Sequence, residues 1–262
     1  MNTRIVYKIM SLFLNKKYRR KQVTFYKLKR LKRFTPAEIN VFEYPIRIVD
    51  SASFLFQYNE IFIRKIYAFN SNAVAPFIID GGSNIGLAII YWKQLFPNSE
   101  IIGFEPDKYI FEALDFNIKS LKFKDVSVIN KGLWNDDTEL FFDSDGSDGG
   151  RISNKTSNTK IEVTSLKKYL NRKIDFLKLD IEGAEVVVLS DCANHLQNVA
   201  NLFIEYHSFE NQLQQLDKLL KILTESGFRY YIQSIGVNSL HPFISINKYL
   251  GMDIQLNIYA YR

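Results

Sequence analysis

The amino-acid sequence predicts an α/β fold with a mostly parallel central sheet. Short apolar runs of strand length alternate with longer amphipathic stretches from Phe77 onward, and this alternation is typical of βαβ units. A glycine-rich turn follows the first run, where a strand would pass into its helix. Two strand-like runs close the chain without a helix of ordinary length between them. We therefore expect helices on both faces of a parallel sheet, with an antiparallel hairpin at its C-terminal edge.

The length and composition indicate one large globular domain. Of the 262 residues, 47% are hydrophobic, which is enough to bury a full core and excludes a disordered chain. Cys192 is the single cysteine in the sequence, so no disulfide can form within the chain. Proteins without disulfides are typical of reducing compartments, and we expect a cytoplasmic protein.

Charge divides the sequence into a basic head and an acidic body. Residues 1–35 hold 12 of the 34 Lys and Arg residues and no Asp or Glu, while the other 227 residues carry a net charge of −6. We predict three regions: a basic amphipathic head at 1–35, a connecting segment of short strands and a helix at 36–74, and the main domain at 75–262. Such a head indicates an arm that meets phosphates or an anionic surface.

The basic head allows two main interpretations. Its apolar stretch, residues 5–14, is interrupted by Lys8 and is too short to span a bilayer, and no signal-peptide cleavage site follows it. This stretch and the basic runs after it could lie on the anionic inner face of a membrane. Alternatively, the head packs its apolar side on the body and leaves its charges in solvent.

The main domain is predicted to alternate between strands and helices. The predicted strands are 77–80, 100–105, 126–131, 176–180 and 202–205. The predicted helices are 85–96, 109–121, 165–170, 184–195 and 211–226. The connecting segment is predicted to contain short strands at 41–44 and 46–49 and an aromatic-rich helix at 54–69. An inserted hairpin with a flexible tip is expected at 139–164, and the final hairpin comprises 230–234 and 254–261.

The turn at residues 81–86 indicates a ligand site. Glycine lets a ligand approach the backbone closely, and the start of the next helix offers free N–H groups. The glycine spacing is not the G-x-G-x-x-G of dinucleotide-binding proteins, and the turn lacks the lysine of a P-loop. An acid directly before the turn would repel a pyrophosphate and suits a cationic ligand. We expect cofactor contacts from Asp80, Gly81, Gly82, Ser83, Asn84 and Gly86.

A second acid, Glu105, supports a nucleoside-bearing cofactor. It ends the strand after the turn, 19 residues beyond Gly86, where a carboxylate can bind both hydroxyls of a ribose. S-adenosylmethionine (SAM) combines a ribose with a sulfonium and an ammonium group, so it fits both Glu105 and Asp80. Backbone amides at Lys131 and Gly132, after the third strand, complete the predicted cofactor site.

The fourth and fifth strands bring several ionisable side chains to the same edge of the sheet. These side chains are Asp180, Glu182, Glu205 and His207. Three acids and a histidine repel or couple unless a substrate hydroxyl or a cation uses them.

Two chemical roles for this edge stay open. In the first, Asp180 or His207, with Glu182 nearby, takes the proton of an attacking hydroxyl. In the second, Asp180, Glu205 and His207 hold a divalent metal ion. In the purely structural interpretation, Asp180 and Glu182 cap a helix and His207 lies on the surface.

Three sequence blocks resemble the FkbM-type family of SAM-dependent methyltransferases. The first block joins residues 79–86 to residues 104–106, the second runs from 176 to 185 and is the most specific, and the third is 204–207. The resemblance covers about residues 77–210. It implies the Rossmann-like class I methyltransferase fold, with a mostly parallel seven-stranded sheet and a C-terminal antiparallel hairpin.

The resemblance also implies an activity and roles for particular residues. The implied reaction is O-methylation from SAM, commonly on sugars, glycans, glycolipids or polyketide-type natural products, and we favour a sugar hydroxyl in a glycan, glycolipid or polysaccharide. Asp180 and His207 match the family's acceptor-facing positions. The family's cofactor positions are matched by Asp80, Gly82, Asn84, Gly86 and Glu105.

Two other functions stay open from the sequence. A nucleic-acid methyltransferase would use the basic head on phosphates. However, base-amine methyltransferases usually carry an Asn/Asp-Pro-Pro-aromatic block after the fourth strand, which this chain lacks, and acids are a poor lining beside phosphates, so we expect no nucleic-acid partner. A SAM-binding protein without catalysis could serve a glycan-assembly enzyme, although the intact set of rim residues argues against it.

Overall fold

The structure is a computed structural model that describes residues 16–42, 44–144, 146, 150–152, 159–236 and 239–262. The strands, numbered along the chain, are β1 (Ala37–Ile39), β2 (Ile46–Ile48), β3 (Phe77–Gly81), β4 (Glu100–Phe104), β5 (Val126–Ile129), β6 (Gly132–Trp134), β7 (Thr138–Asp143), β8 (Arg151–Ile152), β9 (Lys160–Ser165), β10 (Ile174–Leu179), β11 (Val199–Phe209), β12 (Arg229–Ser234) and β13 (Met252–Tyr261). The α-helices are α1 (Lys16–Leu28), α2 (Ser51–Tyr58), α3 (Leu87–Leu95), α4 (Lys108–Ser120), α5 (Glu185–Cys192) and α6 (Leu216–Glu225). A π-helix spans Asn59–Arg64, and 3₁₀-helices span Leu166–Tyr169 and Ala193–Asn198.

The central sheet has seven strands in the order β12-β13-β11-β10-β3-β4-β5. All pairs from β11 to β5 are parallel, whereas β13 is antiparallel to both of its neighbours. This arrangement confirms the predicted mixed sheet with a C-terminal antiparallel hairpin. The strand order reverses between β3 and β10, and ligands of open α/β sheets bind at such a switch point, beyond the carboxyl ends of the strands.

The two faces of the sheet carry separate apolar layers, as alternation along a strand requires. In β3, Ile78 packs into one layer, which includes Trp92 of α3, while Ile79 packs into the other, which includes Leu189 of α5. Every residue of β3 and of β10 is buried. The two strands that meet at the switch point are therefore held rigidly, which fixes the loops that follow them.

The insertion between β5 and β10 is a second sheet rather than a simple hairpin. Its strand order is β6-β9-β7-β8. The predicted third strand at 126–131 is too long, because β5 ends at Ile129 and β6 belongs to the second sheet. The chain turns here as Asn130 Nδ2 donates to the carbonyl oxygens of Glu105 (2.8 Å) and Pro106 (3.1 Å). Part of the predicted flexible tip lies outside the described residues.

The described part of the head packs on the connecting segment. Phe25 of α1 lies 4.8 Å from Tyr58 and 6.1 Å from Phe54 of α2, measured between ring centroids, and Leu28 is buried. The predicted apolar stretch at 5–14 lies outside the described residues. Within the part of the chain that the structure covers, no helix is long and apolar enough to cross a membrane.

Two predicted elements of the connecting segment differ from the structure. The strand predicted at 41–44 is wrong: the observed pair is β1 with β2, and the chain bends at Val41 and Phe42 before it reaches Pro45, a residue that cannot donate a strand hydrogen bond. The helix predicted at 54–69 begins earlier, at Ser51, because Asp50 caps it by accepting from the Ser53 amide.

Candidate active site

A cleft opens at the carboxyl edge of the sheet, beside the switch point between β3 and β10. It encloses about 690 Å³ of empty space, a volume that includes open solvent. The inserted sheet and α2 contribute Ile152 and Gln57 to its walls. The predicted cofactor residues that line it are Gly82, Asn84, Glu105, Lys131 and Gly132. The predicted acceptor-side residues that line it are Asp180 and Glu182.

The glycine turn shapes the cleft through close backbone packing. Gly82 has a φ of +79°, and a Cβ at this position would lie 1.8 Å from the carbonyl oxygen of Asp180. No other residue fits there, because the turn after β3 passes directly against the end of β10. Gly81, Ser83 and Gly86 do not line the cleft. They support the turn, for example through the Ser83 hydroxyl, which donates to the carbonyl of Asp80 (3.0 Å).

Glu105 links the two loops of the predicted cofactor site. One carboxylate oxygen accepts from the Asn84 amide (2.8 Å) and the other accepts from the Asp107 amide (3.0 Å). Burial raises the pKa of Glu105 to about 8, although these two amide donors act in the opposite direction. Each oxygen keeps a further lone pair, so the carboxylate can still accept from the hydroxyls of a ribose.

The structure places Asp80 behind the cleft rather than in its wall. Its side chain is fully buried and is not part of the cleft lining. Burial raises the pKa of Asp80, and the neighbouring Lys178 opposes this shift. Asp80 therefore does not contact the cleft directly, and Lys178 connects it to the carbonyl oxygen of Gly82, a residue of the cleft wall.

Lys178 is a site residue that the sequence prediction missed. It lies on β10 with its side chain buried, and its ammonium donates to the carbonyl oxygens of Gly82 (2.8 Å) and Gly81 (3.2 Å). It also lies 3.3 Å from Asp80 and 3.4 Å from Asp180. Burial lowers its pKa, but the two aspartates outweigh burial and raise it. The available signal was a lysine within the apolar run at 176–179, since a buried lysine requires counter-charges.

His207 lies inside the sheet, not on the surface. The strand predicted at 202–205 is wrong in length, because β11 continues to Phe209 and pairs Glu205 with Asn257 and His207 with Gln255 of β13. The His207 side chain is fully excluded from solvent. As residues two apart on a strand, Glu205 and His207 point to the same face.

The four predicted rim residues are brought together, and Glu185 joins them. His207 Nδ1 lies 3.0 Å from Glu185 Oε1, and Nε2 lies 3.5 Å from Glu205 and 3.7 Å from Glu182. Glu185 also accepts from the amides of Ile181 (3.2 Å) and Gly183 (3.1 Å). Helix α5 begins at Glu185, so Asp180 and Glu182 are not its caps.

Three rim residues, Asp180, Glu182 and His207, have shifted pKa values. Burial raises the pKa of Glu182 to about 8, with His207 acting against the shift. Burial and the charge of Glu205 raise the pKa of Asp180. Burial lowers the pKa of His207, but Glu182 and Glu185 outweigh it and raise the value. Such shifted groups in a cleft are typical of catalytic sites, and Glu182 sits at a strained φ of +55°.

Comparison with known proteins identifies the family. The methyltransferase FkbM domain model matches residues 80–230, which is more than half of the chain. The chain is 26% identical over 179 residues to Methyltransferase 1 of Beauveria bassiana, covering 57% of this chain and 72% of that protein. It is 24% identical over 213 residues to Methyltransferase sdnD of Sordaria araneosa, covering 66% of this chain and 81% of that protein.

A solved structure agrees with the fold. The crystal structure of methyltransferase FkbM from Methylobacillus flagellatus KT matches with a TM-score of 0.52 and 14% sequence identity, over 74% of this chain. This chain covers 45% of that longer protein. The class I methyltransferase fold is thus found by topology as well as by sequence. On the strength of the family match, the protein belongs to the FkbM methyltransferases, a membership that implies SAM as the methyl donor.

Proposed function

We propose that this methyltransferase transfers the methyl group of SAM to a hydroxyl of a sugar in a glycan, glycolipid or polysaccharide. The observation that carries the proposal is that Asp180 and Glu182 line the same cleft as Gly82, Asn84 and Glu105. A methyl donor bound along the glycine turn would therefore face acids that can receive a hydroxyl proton. An alcohol needs this help, because its neutral oxygen is a weak nucleophile.

Each part of the cleft has a role in this proposal. Glu105 would hold the ribose, and the backbone at Lys131 and Gly132 would line the adenine pocket. The methyl group would point toward Asp180, which acts as general base for the acceptor hydroxyl. In-line transfer depends on positioning, and the rigid ends of β3 and β10 provide it.

A divalent cation is a second way to activate the hydroxyl at the same edge. Asp180, Glu205 and His207 each offer one ligand atom within 4.8 Å of the others. A cation there would acidify a bound hydroxyl and leave Glu182 to receive the proton. The base and cation routes predict different responses to metal chelation.

An anionic membrane is the proposed place of the acceptor. The loop between β12 and β13 leaves the sheet at the same edge as the rim acids, because β12 runs in the direction of β11. Its Leu240, Phe243 and Ile244 are each more than 80% exposed. These side chains and the basic residues of the head support contact with a membrane that carries a lipid-linked glycan. Co-sedimentation with vesicles containing anionic lipid, with and without residues 1–35, tests this placement.

Transfer of radiolabelled methyl groups tests the function directly. Labelled SAM would be incubated with fractionated cell glycans, lipid extracts and RNA, and the product linkage identified by mass spectrometry. The proposal predicts base-stable O-methyl sugars in a glycan or lipid fraction. Label in the RNA fraction would favour a nucleic-acid methyltransferase instead. SAM binding without transfer to any fraction would favour a non-catalytic partner protein.

A further inference from the structure

We propose that Asp180, Glu205 and His207 form a binding site for a divalent first-row metal ion. The chemical use of the ion rests on the proposed function, whereas its binding does not. The three ligand atoms lie within 4.8 Å of one another. Ligands at about 2.0–2.2 Å from an ion lie at most roughly 4.4 Å apart when opposite, so an ion can be accommodated with small side-chain adjustments.

The orientation of His207 is that of a metal ligand. Its Nδ1 lies 3.0 Å from Glu185 Oε1. The same Oε1 also accepts two backbone N–H bonds, so this oxygen acts as an acceptor. Nδ1 is therefore the donor in this contact, and Nε2 faces the cluster, where its lone pair can bind an ion once the ring has lost its second proton. Metal-bound histidines are commonly oriented in this way by a carboxylate behind the ring.

The other ring nitrogen, Nε2, faces carboxylates but lacks a hydrogen bond in the described part of the chain. His207 Nε2 is fully buried and makes no hydrogen bond to any described residue. Its neighbours are carboxylate oxygens of Glu205 at 3.5 Å and of Glu182 at 3.7 Å, which attract a positive charge at this position. A metal ion between these atoms would take the place of a proton on Nε2.

The carboxylate of Glu205 is also held in place by a hydrogen bond. Gln255 Nε2 donates to Glu205 Oε1 (2.6 Å) from the neighbouring strand β13. The same oxygen, Oε1, lies 3.5 Å from His207 Nε2, so this bond holds the carboxylate next to the cluster. Hydrogen bonds that orient ligating carboxylates are a regular part of metal sites.

A further cation would improve the charge balance of the buried cluster. Lys178 lies between Asp80 and Asp180 and compensates part of their charge. Even a protonated His207 would leave Glu182, Glu185 and Glu205 with a single positive partner. SAM adds one net positive charge, from its sulfonium, ammonium and carboxylate groups. A divalent ion removes the excess that buried like charges would otherwise relieve by taking up protons.

The ion would activate the acceptor by direct coordination. Three protein ligands leave positions open for the acceptor hydroxyl. The bound hydroxyl loses its proton to Glu182, and its oxygen attacks the methyl carbon of SAM. The C–O bond forms as the S–C bond breaks, and the bonding pair stays on sulfur, which becomes a neutral thioether. Two carboxylates and one imidazole suit Mn²⁺ better than Mg²⁺, which prefers an all-oxygen set.

Titration with Mn²⁺ tests the site on the full chain. Calorimetry and Mn²⁺ electron paramagnetic resonance would be run in the presence and absence of SAM, for the wild type, Asp180→Asn, Glu205→Gln and His207→Gln. Glu225→Gln is the matched control, because Glu225 is exposed and pairs with Lys221 on α6. We expect one ion per chain, bound at least tenfold more weakly by each cluster variant and equally well by the control.

Thermal melting would show which variants fold, and Glu205→Gln keeps the test usable because its side chain is partly exposed. Absence of Mn²⁺ binding by the wild type at millimolar concentration would overturn the proposal. Equal binding by folded Asp180→Asn or Glu205→Gln would also overturn it. Full O-methyl transfer in EDTA would exclude the ion and leave the proposed function intact. Conversely, specific Mn²⁺ binding without any O-methyl product would support the site and remove the proposed function.

Discussion

The ammonium of Lys178 lies 3.3 Å from the carboxylate of Asp80, and both side chains are almost completely excluded from solvent. Their backbones are direct partners in the parallel ladder of β10 and β3. This pair joins the strand that precedes the glycine turn to the strand that delivers Asp180. It therefore connects the cofactor side of the cleft with the acceptor side.

Removal of the lysine should be strongly destabilising. Lys178→Met leaves Asp80 buried without its counter-charge, and we expect a loss of about 3–5 kcal/mol in the free energy of unfolding. Lys173→Met is the control, because Lys173 is exposed and pairs with Asp175 at the start of the same strand, where about 0–1 kcal/mol is expected. Urea unfolding measures both. Recovery in the double variant Lys178→Met/Asp80→Asn is expected, and additive losses would contradict the pairing.

Binding of SAM should release a proton at neutral pH. The pKa of Glu105 is raised to about 8 in the free protein, so the group is largely protonated at pH 7, whereas ribose hydroxyls bind best to its ionised form. Affinity should then rise with pH and level off above about pH 8. Calorimetry in buffers of different ionisation enthalpy measures the released proton. Glu105→Gln should remove this buffer dependence, and a pH-independent affinity of the wild type would argue against the proposed ribose contact.

Gly82 should tolerate no side chain. Gly82→Ala adds a Cβ that would lie 1.8 Å from a backbone oxygen, so we expect loss of SAM binding together with a loss of about 3 kcal/mol or more in stability. Gly251→Ala is a matched control, since its φ of +80° is almost the same but nothing lies within 4 Å of the added carbon. There we expect about 1 kcal/mol and normal SAM binding. Equal effects in the two variants would mean that backbone conformation alone matters.

Asp50 should make the connecting segment sensitive to acid. Burial alone would raise its pKa, but amide donors at Ser53 and Phe34 and the Arg33 side chain outweigh this and lower the pKa to about 2. Because the pKa of Asp50 is lower in the folded state than in the unfolded state, its ionised form stabilises the fold above about pH 4. This contribution is lost as the pH falls toward 2. Asp50→Asn should cost about 1–2 kcal/mol at pH 7 and flatten this part of the stability profile. Denaturant unfolding between pH 2 and 7 measures it.

The parts of the site that follow from local sequence were predictable. The glycine turn, Glu105 and Asp180 each come at the end of an apolar run of strand length. This pattern was enough to predict that they meet at one edge of the sheet. Lys178 was missed because its partner Asp80 is almost a hundred residues away, and only the register of β10 against β3 brings them together. The burial of His207 depends in the same way on pairing with β13, which the length of the apolar run in β11 does not encode.

The most direct test of the central claim is to separate SAM binding from methyl transfer in Asp180→Asn. The variant keeps the shape of the side chain and removes the proposed base or metal ligand. SAM affinity, measured by calorimetry, should stay within about threefold of the wild type, while transfer to the accepting glycan fraction should fall by about 10²-fold or more. Full turnover by a variant that binds SAM normally would contradict the claim that the acids at this edge activate the acceptor.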